Sequence, residues 1–171
     1  ELNQAFNFRW LFAPWDAAAV RGVVVASLAE NDAVGAPTTW VLSNHDVWRH
    51  VSRYGGGSLG LARARAAALL MHALPGSSYV YQGEELGLPE VTDLPEESLQ
   101  DPTWERSGHT VRGRDGCRVP IPWSGSEPPY GFGPGQEQPW LPQPASWAGL
   151  SVAAQDGVPG DFHLVHLGSK A

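Results

Sequence analysis

Hydrophobic and polar positions follow two periods in the first half of the chain and lose both in the second. Ala5-Phe6-Asn7-Phe8 is a short aromatic run that reads as a strand. Pro14-Trp15-Asp16 then opens a helix, with Asp16 as its N-cap or first-turn acid. Val20, Val24 and Leu28 recur at four-residue spacing with Ala17 and Val23 flanking the same face, and the helix should close near Glu30-Asn31-Asp32, before Gly35 and Pro37. Thr38-Thr39-Trp40-Val41-Leu42 is apolar and β-branched, preceded by Pro37 and followed by polar residues, the pattern of a buried parallel strand. Tyr54-Gly55-Gly56-Gly57-Ser58 reads as a flexible loop. Leu59 to Leu74 is built from strong helix formers and stopped by Pro75-Gly76, and Ser77 to Gln82 is a third β-rich run.

Strands alternating with helix-length crossovers predict parallel pairing and right-handed connections. Residues 1–88 therefore read as a β-α-β-α-β layer of an α/β fold. From Pro89 the pattern dissolves. Residues 89–147 read as a long irregular loop region rich in Arg, Gly, Pro and Trp. Residues 148–171 could begin a further helix, broken by Gly157, Pro159 and Gly160, and run into a divergent tail. The sequence defines a single incomplete domain with no internal repeat.

Composition narrows the function classes. The chain has 171 residues, 42% of them hydrophobic and 17% charged, as in a soluble globular domain. Its net charge of −7 and the lack of any Lys/Arg-rich run argue against nucleic acid as a partner. The one cysteine, Cys117, excludes an internal disulfide and a cysteine-built metal site, and is compatible with a cytoplasmic location. No apolar run approaches the ~20 residues of a membrane span, and no secretory signal opens the chain. Each of the eight Trp is read first as a packing residue and second as a platform for a sugar ring.

Candidate chemistry gathers at Ser43-Asn44-His45-Asp46, the carboxyl end of the second strand, where parallel α/β folds place their sites. Arg49 and Arg53 follow and could pair with carboxylates or with a ligand, or remain solvated charges. His45, Asp46 and His50 are too few for a metal centre, and His72 and His109 have no telling spacing. Glu84 and Glu85 are adjacent, so their side chains diverge and cannot converge on one bond; a structural role is expected of them. Between Trp104 and Trp123 lie Arg112, Arg114, Asp115 and Arg118, a loop that either lines a pocket or orders itself through an Arg–Asp pair.

Three stretches, in order, resemble motifs of the α-amylase family of glycoside hydrolases. They are Ser43-Asn44-His45-Asp46 with Arg49-His50-Val51-Ser52-Arg53-Tyr54-Gly55, then Tyr79 through Gly87, then Gly113 through Trp123. The likeness extends over roughly residues 1 to 155 and points to the bacterial α-glucosidase and oligo-1,6-glucosidase branch. It implies a partial (β/α) barrel, with these strands as the sixth to eighth of a TIM-type barrel followed by a long irregular loop region. It also implies a small oligosaccharide as substrate and no cofactor or metal. By resemblance Asp46 is the transition-state stabiliser. His45, Arg49 and Arg114 bind the sugar, Asn44 holds the turn, and Asp115 partners Arg114. Trp48 departs from the pattern, standing where members often carry a small residue or Pro, and leaves the linkage preference open. A retaining glycosidase also needs a nucleophile and a general acid about 5 Å apart. In the family both precede the Asn-His-Asp motif. Here only Glu1, Asp16, Glu30 and Asp32 precede Asp46, and none sits in a matching motif. The chain alone is expected to be inactive. The alternative is a non-catalytic sugar-binding or interaction protein of the same descent.

Overall fold

The computed structural model describes residues 4–135, 137–156 and 158. At its centre two short strands, β1 (Thr39–Val41) and β2 (Ser77–Tyr79), pair in parallel, Thr39 opposite Ser77 and Val41 opposite Tyr79. The expected first strand at Ala5–Phe8 is absent. Asn7 accepts the backbone N–H of Trp10 at 3.1 Å and caps a short helix, α1 (Phe8–Leu11), so a local side-chain bond wins over extension. Residues 5–7 still run beside β1, tied by the Thr39 hydroxyl donating to the Ala5 carbonyl, a side-chain tether in place of a ladder.

The helices follow the pattern closely. Helix α2 (Ala17–Asp32) starts where Asp16 accepts the Ala19 N–H at 2.8 Å, and ends before Gly35, whose positive φ lets the chain reverse. Its Val20, Val23, Val24 and Leu28 pack against Trp10, Trp40, Leu42, Tyr54, Ala67, Ala68 and Met71. The expected loop at 54–58 is shorter than read. A one-turn helix, α3 (His50–Arg53), precedes it, and α4 (Gly57–Ala73) already starts at its third glycine. Gly60 lets α3 and α4 approach, since a Cβ there would sit 2.2 Å from the Val51 carbonyl oxygen.

The aperiodic half is a packed body. Leu86, Leu88, Val91, Leu94, Val119, Ile121, Tyr130, Leu141 and Trp147 form a second core. Side chains tie backbone where no ladder can. Gln143 donates to the Pro120 and Ile121 carbonyls, Gln155 to those of Leu86 and Leu150, and the Tyr130 hydroxyl to those of Pro144 and Ala145. Short helices α5 (Pro102–Arg106), α6 (Asp115–Arg118) and α7 (Val152–Gln155) punctuate it. The tail after Gly157, read as divergent, lies outside the described residues apart from Val158. Of the eight Trp, Trp10, Trp40, Trp104 and Trp147 are buried, and Trp15, Trp48, Trp123 and Trp140 are exposed. Among the described residues no helix is long and apolar enough to cross a membrane.

Candidate active site

The loop after β1 is closed by its own first and last residues. Ser43 Oγ accepts the His50 backbone N–H at 3.0 Å and lies 2.9 Å from His50 Nδ1. Inside that closure Asn44 Oδ1 accepts the Asp46 N–H at 2.9 Å, a local turn that presents Asp46 outward and fits the turn-holding role expected of Asn44. The Asp46 side chain is 47% exposed and that of His45 63%, with His45 Nε2 3.4 Å from Asp46 Oδ2.

The second half of the site comes from residues 101–118. Arg114 Nη1 donates to Asp46 Oδ1 at 2.6 Å and Arg118 Nη2 to the same oxygen at 3.2 Å. Arg118 Nε also donates to the His45 carbonyl at 2.8 Å. Behind them lies Asp101, its side chain fully buried. It accepts the Arg114 Nε–H at 2.5 Å, the Arg114 backbone N–H at 3.0 Å and the Thr103 N–H at 2.9 Å. Gly113, at φ +74°, brings the chain over Asp101, leaving no room for a Cβ, which would meet the Asp101 side chain at 2.7 Å. The Arg114 hydrogen bond holds the Asp46 carboxyl below its ordinary range, against a smaller opposing push from burial and with help from His45 and Arg118. The same guanidinium is the main cause holding Asp101 well below the carboxylate range, and the two carboxylates together raise Arg114.

Four of the site residues expected from the sequence are thus accounted for, and not all as expected. Asp46, His45 and Arg114 come together. Arg49 does not join them. It is 2% exposed, and its guanidinium is spent on the carbonyls of Gln82 at 2.9 Å and Cys117 at 3.0 Å. The long, planar fork suits carbonyl-rich interior where three segments meet, which is why the side chain turns in. Asp115 does not partner Arg114. Its carboxylate accepts the backbone N–H groups of Gln100 and Asp101, and Asp101 takes the role expected of it. Arg53 likewise turns to carbonyls, those of Leu11, Leu42 and Trp48. Asp101 was not singled out as a site residue, and Arg118 only as one member of the loop between Trp104 and Trp123. Asp101-Pro102-Thr103 is legible as a helix start, but nothing local ties it to Arg114, thirteen residues on.

Glu84 serves the interior. Its Oε2 accepts the Tyr81 N–H at 2.7 Å, and Oε1 lies 3.4 Å from His50 Nδ1. Burial pushes the Glu84 carboxyl up to about 8 and, with Arg53 and Arg49 nearby, the His50 imidazole down to about 3. His50 Nδ1 faces Ser43 and Glu84. An apolar cleft of about 480 Å³ between α2 and α4, lined by Trp10, Trp15, Val20, Tyr54 and Leu70 among others, contains none of His45, Asp46, Arg114 or Arg118.

Comparison with known proteins gives the chain a family. The alpha-amylase catalytic-domain model matches residues 4–161, and the chain belongs to the alpha-amylase family. A probable alpha-glucosidase of Rhizobium meliloti (strain 1021) is 45% identical over 121 residues, covering 70% of this chain and 21% of the relative. The oligo-1,6-glucosidase of Parageobacillus thermoglucosidasius is 30% identical over 183 residues, covering 90% of this chain and 32% of the relative. The crystal structure of an alpha-glucosyl transfer enzyme, XgtA, superposes with a TM-score of 0.76 at 38% identity, covering 91% of this chain and 28% of that one. The fold is that of part of a TIM-barrel glycosidase. The chain spans between about a fifth and a third of the length of these relatives.

Proposed function

We propose that the chain is a segment of a retaining α-glucosidase acting on α-glucosidic bonds of small oligosaccharides, and that it contributes the region of the sixth to eighth barrel strands, with β1 and β2 as the last two and residues 5–7 beside β1 in the place of the first. The observation that carries this reading is the Asp46 carboxylate. It stands half-exposed at the carboxyl end of β1, held in one orientation by Arg114 and Arg118. A fixed anion beside a sugar ring favours the positive charge that develops there in the transition state. In this reading Asp46 stabilises that charge, and His45 and Arg114 bind ring hydroxyls.

The second carboxylate at the site, Asp101, cannot be a nucleophile, because its side chain is buried and both oxygens accept N–H groups. Nucleophile and general acid are then supplied by barrel strands outside these residues, and the chain alone turns nothing over. A transfer reading shares the site. It rests on the 38% identity to an alpha-glucosyl transfer enzyme.

The test expresses the full-length protein containing this segment and measures hydrolysis and transfer on maltose and isomaltose, for wild type and Asp46→Asn. A positioned electrostatic group is worth about a hundredfold to a thousandfold in kcat, so Asp46→Asn should lose that much with its melting temperature intact. A folded Asp46→Asn within about threefold of wild type, under ~1 kcal/mol in barrier, would remove Asp46 from the chemistry. A wild type inactive on every α-glucoside tried would leave the sugar-binding alternative.

A further inference from the structure

Two arginines cross between the segments that build the site. Arg118, from the second segment, donates Nε–H to the carbonyl of His45 in the first, at 2.8 Å. Arg49, from the first, donates Nη2–H to the carbonyl of Cys117 in the second, at 3.0 Å. The two bonds run in opposite directions, each ending next to a residue that touches or is touched by Asp46.

Arg49 also reaches a third segment. Its Nη1 donates to Gln82 O at 2.9 Å, and its guanidinium lies 5.0 Å from the Tyr81 ring centroid. The Tyr81 hydroxyl donates to the same Cys117 carbonyl at 3.0 Å. Glu90 closes the assembly from below, accepting the Arg49 backbone N–H on Oε2 at 2.9 Å. The fit leaves no slack. A Cβ on Gly116 would lie 2.5 Å from Glu90 Oε1, and one on Gly83 would lie 3.0 Å from Arg49 Nη1.

Burying a guanidinium is costly, and an apolar side chain of similar size fills such a space as well or better. What an apolar side chain or a lysine cannot do is hold two carbonyls of two different segments in one plane. We infer that Arg49 is a positioning residue, which sets the separation of Asp46 from Arg114 and Arg118 by fixing Cys117 to the Asp46 loop. The kinetic part of the inference rests on the glucosidase reading; the geometric part does not.

Arg49→Lys in the full-length protein separates the two. Lysine keeps the charge but, as a point donor, does not hold the two carbonyls in the fixed geometry of the fork. In the crystal structure of this variant, the Asp46–Arg118 contact of 3.2 Å should open by about 1 Å, past hydrogen-bond range. A shift of that size commonly costs about a hundredfold in rate. We expect kcat to fall roughly tenfold to a hundredfold with KM within about threefold, and to fall little further when Arg49→Lys is added to Asp46→Asn. Asp46–Arg114 and Asp46–Arg118 contacts that stay intact in Arg49→Lys would overturn the inference. So would a kcat loss that multiplies in full with that of Asp46→Asn. If Arg49→Lys does not fold, Arg49→Met removes both side-chain donors and keeps an apolar side chain of similar length, and is read against the same two outcomes. A wild type without glucosidase activity defeats the functional reading alone, and the crystallographic contacts still decide this one.

Discussion

Replacing Asp101 with Asn removes one charge from the buried end of the site cluster while keeping its shape. Both carboxylate oxygens are committed: Oδ2 to the Arg114 N–H and Nε–H, Oδ1 to the Thr103 N–H. An amide offers one acceptor and, on the other side, two donors that face donors. If its oxygen stays with Arg114, α5 loses its N-cap, worth about 1 kcal/mol, and the Arg114 bonds lose their charge assistance, worth another 1–2 kcal/mol. The total is about 2–3 kcal/mol, the lower end of what breaking a buried pair costs, because Arg114 remains partly in water. That is roughly a hundredfold in the folded-to-unfolded ratio. Urea unfolding at pH 7 measures it. The acid side gives a second check. The Asp101 carboxyl is depressed in the folded protein, so its stabilisation is present above its ordinary value of 3.8 and is lost as pH falls toward the folded value. The deficit of Asp101→Asn should be flat from pH 7 to pH 5 and shrink only below about 4. A deficit under ~1 kcal/mol at pH 7, or one already shrinking above pH 5, refutes the reasoning.

Two further outcomes follow from the buried polar groups. Burial raises Glu84 from 4.5 to about 8, so its contribution to stability is present below 4.5 and disappears as pH rises through 8. Glu90 is raised in the same sense only to about 7, and His50 acts only below 6.5, which leaves pH 7 to 8 to Glu84. Glu84→Gln should flatten the fall in melting temperature across that window, and melting curves that stay parallel to wild type from pH 6 to 9 would contradict the assignment. Tyr130→Phe removes the hydroxyl that donates to the Pro144 and Ala145 carbonyls and should cost about 1–2 kcal/mol in urea unfolding; no measurable loss would show that the second core does not depend on this tie.

The legible parts of the chain are those where a local period or a motif carries the information. Val20, Val24 and Leu28 face the core at the spacing that defines one side of a helix, and Asp16 caps that helix as its place before the run suggests. Asn44, His45 and Asp46 lie at the end of a strand that is buried throughout, as an apolar run ending in polar residues implies. Arg49 and Asp115 failed for one reason. A charged side chain near a site has no local signal for the direction it takes, and each of these found backbone groups in the interior instead of a sugar or a neighbouring arginine. The second core was illegible because Leu88, Ile121, Tyr130 and Trp147 meet through turns and single side-chain bonds, which leave no period to count. Ala5–Phe8 failed because Asn7 caps a helix more readily than it extends a strand.

The charge balance of the cluster argues against two roles of Asp46, general acid and general base. Asp46 and Asp101 face Arg114 and Arg118, so the four groups are neutral together, and Asp46 Oδ1 accepts from both guanidiniums. A surface ion pair alone contributes little, because water screens it and ordering two long side chains is costly. Here Asp101 lies buried, bonded to the Arg114 backbone as well as its side chain, so Arg114 is already ordered before it meets Asp46. The result is a carboxylate held ionised and pulled below its ordinary range. A general acid needs the opposite shift, and a general base works best with a pKa near the working pH. Oδ1 has both sides occupied by the guanidiniums of Arg114 and Arg118, while among the described residues Oδ2 meets only His45, at 3.4 Å. Asp46 is a fixed negative charge of low basicity, its Oδ2 turned toward His45. In the proposed function such a group lowers the energy of a neighbouring oxocarbenium-like ring in proportion to how little it has to move.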